Sequence, residues 1–295
     1  MHSNARAAAF LRPTDPGRSQ GEALRRLLWA VVLLMDSAGI VFLMYHELGL
    51  PGRQTCHSEP GYVRYVVPAS DFQQQMERLA SEGWRGQNVT QTIESFSEKT
   101  VCITFDDGCE TDLISAAPLL SKLGFRATSY ITVEFLGNRG YMSHAQVREL
   151  DAAGFQIGCH SLTHPYLTDV DDIRLREETQ VAKDKLQQIA GVRVDHYSCP
   201  GGRWDRRVTQ AVKQAGFRTM ATSRTGVNFS TTDPFALDRV AILNGMSGDG
   251  VLRISQGKGL AGAQMKERAR DAVKRVLGNT VYDSLRGLIV REKLR

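Results

Sequence analysis

Histidine runs out early in this chain of 295 residues: none follows His196. Imidazole chemistry must therefore be assembled upstream of that position. Cysteine is scarce and odd in number, five in all, with no Cys-x-x-Cys pair, so a fully paired disulfide framework is excluded. Cys102, Cys109, Cys159 and Cys199 fall on or beside strand-like runs, the pattern of reduced buried thiols in a cytoplasmic protein; a zinc-thiolate role for Cys159 or Cys199 is the alternative. No apolar run reaches bilayer length. Leu27–Met35 follows Arg25 and Arg26 like a signal-peptide core, but Asp36 interrupts it and no small-x-small cleavage site is present. Aromatic residues make up only 7% of the chain and nowhere interleave with a basic run. The formal charge of +5 therefore does not mark a nucleic-acid binder. Its excess sits at the ends, at Arg6, Arg12, Arg18, Arg25 and Arg26 and again over 258–295. Repeats and low-complexity tracts are also absent.

What is present is an α/β rhythm. Apolar residues form 42% of the sequence, enough for a sizeable core in a single catalytic domain. Helix-like stretches at 69–83, 112–124, 143–154, 171–191 and 205–216 each begin near a capping residue or end at glycine. Short strand candidates such as 126–131 follow them, and this alternation predicts β-α units around a parallel sheet. The expected organisation is an N-terminal extension over 1–35, disordered or non-essential, with its first 21 residues aperiodic and rich in Ala, Arg, Ser and Pro. A catalytic barrel is expected over 36–245, with core motifs at 100–240. A basic extension over 246–295 follows, in which Ala272, Val273, Val276, Leu277, Leu285, Leu288 and Ile289 alternate with Lys and Arg as in amphipathic helices. Packing on the barrel is the plain reading of that tail. Contact with anionic lipid or a polysaccharide-synthesis partner is the other. A cytoplasmic location is expected, with membrane association or export as alternatives.

Two segments carry chemistry. Val101–Phe105 is a β-branched and aromatic run that ends in Asp106, Asp107 and Gly108. Phe155–Cys159 is a second such run, followed at once by His160-Ser161-Leu162-Thr163-His164. Each piece alone has a bland reading: Asp-Asp-Gly is a common turn, and His-x-x-x-His arises by chance. Their conjunction at successive strand ends, with a helix-length segment between, points to one site. Two imidazoles and a carboxylate suit a divalent ion and leave positions open for water and substrate. Adjacent strand residues face opposite ways, so one aspartate would bind metal and the other handle protons.

Thr104–Gly108 and His160–His164 resemble the first two signature motifs of the polysaccharide deacetylases, the NodB homology domain of carbohydrate esterase family 4. The resemblance spans about 42–238. It implies a distorted (β/α)7-8 TIM-like barrel that removes N-acetyl or O-acetyl groups from an acetylated glycan. A divalent ion would assist, zinc foremost, with cobalt, nickel or manganese as alternatives. Position by position, Asp106 resembles the general base, Asp107 the metal-binding carboxylate, and His160 and His164 the metal-binding imidazoles. Pro200-x-Gly202 resembles the groove motif, which places Pro200, Gly202, Arg203 and Tyr45 along the substrate path.

The chain also departs from that pattern. Ser198 stands where the family carries an arginine beside the base, and Arg203 is the candidate substitute. No Asp-Trp pair follows Gly202; Trp204-Asp205 has the reverse order. The closing Leu-x-His strand that supplies the general acid is missing. Instead Gly39–Glu47 is an apolar strand ending at His46, as in the branch that includes poly-N-acetylglucosamine deacetylases. A closed barrel can be renumbered without moving residues in space, so His46 is the expected general acid on a permuted strand order. Other readings of the same residues are a catalytically degenerate glycan-binding relative and a metal amidohydrolase of a small nitrogen compound.

Overall fold

The computed structural model describes residues 39–260, 262, 264 and 265. The expected extension over 1–35, and all but the start of the one over 246–295, lie outside the described residues. Ten strands order the compact unit that begins at Gly39. They are β1 (Val41–Tyr45), β2 (Leu48–Gly49), β3 (Val67–Pro68), β4 (Arg85–Gln87), β5 (Thr100–Asp107), β6 (Thr128–Ile131), β7 (Gln156–Cys159), β8 (His196–Ser198), β9 (Thr219–Ala221) and β10 (Val240–Ala241). The main sheet runs β10-β1-β5-β6-β7-β8-β9, with β4 added to the first residues of β5, and every pairing in it is parallel. β2 and β3 form a separate parallel pair.

Parallel pairing puts all strand ends on one rim, where α/β proteins build their sites. The sheet is curled in the way expected of a distorted (β/α) barrel. Residues 237–241 link its two edges, since Leu237 bridges Ala221 of β9 and Val240 pairs with Leu43 of β1. The first strand in sequence lies beside β5, with Tyr45 opposite Phe105. This is where the permuted order required it.

Helices cover the sheet where the periodicity predicts them. Ala69–Ser81 buries Phe72, Met76 and Leu79 at helical spacing. His144–Ala152 starts from a capping box made by Ser143 and Gln146. The 171–191 stretch is more than one plain helix: Asp172–Arg176 passes through a π-helical turn, Glu177–Val181, into Ala182–Ala190 and stops at left-handed Gly191. That wider turn carries the buried Glu178. Among the described residues no helix is long and apolar enough to cross a membrane.

Candidate active site

Asp106 and Asp107 close β5, and with Asp107 at positive φ both carboxylates approach His160 Nε2, at 3.8 and 3.6 Å. Asp106 is buried and held at both carboxylate oxygens by Arg239, whose two terminal nitrogens donate to Oδ1 and Oδ2 at 2.7 Å each. Arg239 is itself fully buried and spends its remaining donors on Thr222 O at 2.8 Å, Ser198 Oγ at 2.8 Å and Thr104 Oγ1 at 3.3 Å. Burial works against ionisation of Asp106, but the guanidinium outweighs it and, helped by His160, holds the carboxyl well below the usual carboxylate range. Asp106 is thus a fixed carboxylate, ionised at neutral pH.

Asp107 has the opposite environment. Its Oδ1 is buried and has no hydrogen-bond partner, yet lies 3.6 Å from His160 Nε2 and 3.5 Å from His164 Nε2. His160 Nδ1 sits 2.9 Å from the carbonyl oxygen of Ser198. A carbonyl can only accept, so Nδ1 carries the proton and Nε2 presents its lone pair to Asp107. Burial lowers the His160 pKa to about 4 against the opposing pull of Asp106, so the ring is neutral at neutral pH.

The histidine loop is strained and clamped. Asp107, Ser161 and His164 all adopt positive φ, at 79°, 70° and 65°, a conformation that side-chain-bearing residues avoid unless their surroundings enforce it. Glu178 clamps the loop between Ser161 and His164. Its carboxylate accepts from the Leu162 and Thr163 backbone N–H groups at 2.8 and 2.9 Å and from Thr163 Oγ1 at 2.6 Å, and pairs with Arg174 at 2.8 Å. His164 N donates to Ser161 Oγ at 2.9 Å. Together these bonds turn both imidazoles toward Asp107.

This trio fits a divalent ion. Two ligand atoms each about 2.1 Å from a tetrahedral centre stand roughly 3.4 Å apart, and the measured Asp107 separations of 3.5 and 3.6 Å match that edge. One ligand atom from each of the three residues lies within 4.8 Å of the others. An orphaned buried carboxylate oxygen is costly without a cation or donor, and a cation held by this trio would meet that need.

The other expected residues divide. His46 follows β1; its Nδ1 is buried without a partner and its ring lies 4.7 Å from that of Tyr65. Pro200–Gly202 forms a 3-10 turn just after β8, with Gly202 at φ 66° against Ser223. Two expectations need correction. Tyr45 is not on a substrate groove: it is fully buried, donates to Gln75 Oε1 at 2.8 Å and packs between Phe72 and Phe105. Its strand position faces the covering helix that carries Phe72, in the apolar cluster the helices share. Arg203 is not the substitute for the absent arginine, because its guanidinium lies 3.7 Å over the Tyr166 ring and 3.7 Å from Asp169 Oδ2. Arg239 fills that role from the strand that closes the sheet. Arg239 and Glu178 went unnoticed in the sequence, although an arginine inside the apolar run 235–243 was a signal that a buried charge needed a partner.

Comparison with known proteins bears on the family and the fold. Residues 93–220 match the family model described as polysaccharide deacetylase. YxkH of Bacillus subtilis, named a candidate polysaccharide deacetylase, is 27% identical over 219 residues, covering 72% of this chain and 74% of that protein. A chitooligosaccharide deacetylase of Azorhizobium caulinodans is 28% identical over 129 residues, covering 43% of this chain and 60% of that protein. The fold is shared with the Streptococcus pyogenes deacetylase PplD solved with acetate, at TM-score 0.66 and 21% identity over 75% of this chain and 99% of that one. It is also shared with IcaB from Ammonifex degensii, at TM-score 0.63 and 23% identity over 74% and 97%. Residues 93–220 thus carry a polysaccharide deacetylase domain, and the protein is an enzyme of that class, a carbohydrate deacetylase.

Proposed function

We propose that the protein is a metal-dependent hydrolase of N-acetyl groups on a polysaccharide or oligosaccharide. The observation that carries this reading is the unpartnered Asp107 Oδ1 facing two imidazole nitrogens, beside a second aspartate locked by Arg239. Asp107, His160 and His164 would hold the divalent ion, zinc by the character of the donors. When bound, such an ion supplies Lewis acidity for the acetyl carbonyl and acidifies water. Asp106 takes the proton of the attacking water, and the paired guanidinium fixes both its position and its ionisation. His46 donates a proton to the departing amine nitrogen; its unpartnered, buried ring nitrogen is the support for that role. The N-acetyl preference rests on the need for such an acid, since an amine leaves far less readily than an alcohol, and on the relative named a chitooligosaccharide deacetylase.

The test is acetate release from N-acetylated chitooligosaccharides, from O-acetylated glycans and from small cyclic amides, with metal content measured on the same sample. Release from the first set, and its loss on chelation, is the expected outcome. Turnover confined to cyclic amides would make the protein an amidohydrolase of small nitrogen compounds. Bound metal with no release from any glycan would make it a binding protein.

A further inference from the structure

Apart from the trio at Asp107, the described residues hold one other cluster of ligand-type side chains: Glu47, Cys56 and Cys109. Its carboxylate is already committed. Glu47 Oε1 is paired with the Arg53 guanidinium, and Oε2 accepts from the Cys56 backbone N–H and from the Tyr62 hydroxyl, each at 2.9 Å. A cation would have to sit against that guanidinium, so the chemistry left to the cluster is that of its two sulfurs. These lie 3.6 Å apart, with Cys109 fully buried and Cys56 half-buried. Cys56 lines a surface cavity of about 630 Å³ whose wall includes Arg53 and Arg139.

We propose that Cys56 and Cys109 form a reversible disulfide, closed by exchange with an anionic small-molecule disulfide admitted through this cavity. Cys56 lines the cavity whereas Cys109 is fully buried, so Cys56 is the thiol an incoming reagent reaches. Attack by Cys56 Sγ on the small disulfide forms a mixed disulfide and expels one thiol. Cys109 Sγ then attacks the Cys56 sulfur, expels the second thiol and yields its proton to it. The protein loses two hydrogens and the small disulfide gains them. Arg139 on the cavity wall, hydrogen-bonded to the Gln54 side chain, supplies charge that draws an anionic reagent toward the half-buried sulfur, whereas Arg53 is already paired with Glu47 and Glu110.

The bond would latch the loop at 53–57 to the rim of the active site. Cys109 lies just beyond Asp107 and pairs through its backbone with Tyr141, whose hydroxyl is 2.9 Å from His57 Nε2. Arg53 already spans the same gap, to Glu110 Oε1 at 2.8 Å and to Gly140 O at 3.0 Å. With these contacts in place the two sulfurs lie 3.6 Å apart before any bond forms, against about 2.05 Å in a closed disulfide.

The experiment treats the reduced full-length protein with oxidised glutathione and counts thiols after denaturation. The chain has five cysteines, so loss of the pair should leave three. A peptide containing Cys56 should then appear linked to one containing Cys109 in a non-reducing digest, and dithiothreitol should restore all five. Cys56→Ser should keep its four thiols unchanged through the same treatment. A glutathione adduct on Cys56 that never resolves, a link between other cysteines, or no thiol loss would each overturn the proposal.

Discussion

His160 and His196 are the same side chain in nearly the same dielectric, yet only one can act. Burial lowers both to a pKa of about 4, so both rings are neutral at neutral pH. His196 opens β8, at the rim opposite the site, and both of its nitrogens are occupied: Nδ1 lies 2.9 Å from Thr219 Oγ1 and Nε2 lies 2.8 Å from Thr90 Oγ1. His160 follows β7 at the active rim, and its Nδ1 bond to Ser198 leaves Nε2 pointed at an orphaned carboxylate oxygen. A perturbed pKa is common to both residues and therefore does not identify the functional one. The unspent lone pair does.

The largest effect is expected at the active rim: His160→Ala should lose bound metal and turnover together, whereas His196→Asn should keep metal and turnover per folded molecule. Metal analysis and acetate release on both variants decide this, and equal damage from the two would erase the distinction. Next, Arg239→Met removes one half of a buried ion pair. It should cost about 3–5 kcal/mol in a denaturation experiment, and the acidic limb of the pH-rate profile should move to higher pH as Asp106 loses the charge that holds it down.

A smaller effect sharpens the structural half. The folded His196 sits at about 4 and its ordinary value is 6.5, so the unfolded chain binds the extra proton between these values. Its contribution is present above about 6.5 and is lost as the pH falls toward 4, by up to roughly 3 kcal/mol. His196→Asn should flatten that part of the stability profile. The smallest effect belongs to Tyr45→Phe, which deletes only the hydrogen bond to Gln75. A loss of about 1 kcal/mol with turnover unchanged is expected, and a large fall in turnover would return Tyr45 to the substrate path.

Much of this was readable in advance because strand periodicity and motif chemistry are local. Asp106 and Asp107 had to lie at a strand end, and Thr104–Gly108 with His160–His164 resembled a known pair of motifs. The neighbours that arm those residues are not local. Arg239 reaches Asp106 only because the sheet closes between β9 and β1, and Glu178 reaches the histidine loop only because a π turn interrupts an otherwise ordinary helix. Tyr45 misled for the same reason: a tyrosine beside a functional histidine reads as part of the site until its register against Phe105 places it in the core.

The central claim is that Asp107 binds the ion and Asp106 does not. Metal stoichiometry measured on Asp107→Asn and Asp106→Asn, with acetate release from the same preparations, tests it most directly. Asp106→Asn should retain one ion per chain while turnover falls by about 10²–10⁴-fold, and Asp107→Asn should retain neither. An Asp107→Asn protein that still held its ion, or an Asp106→Asn protein with the normal rate, would contradict the assignment.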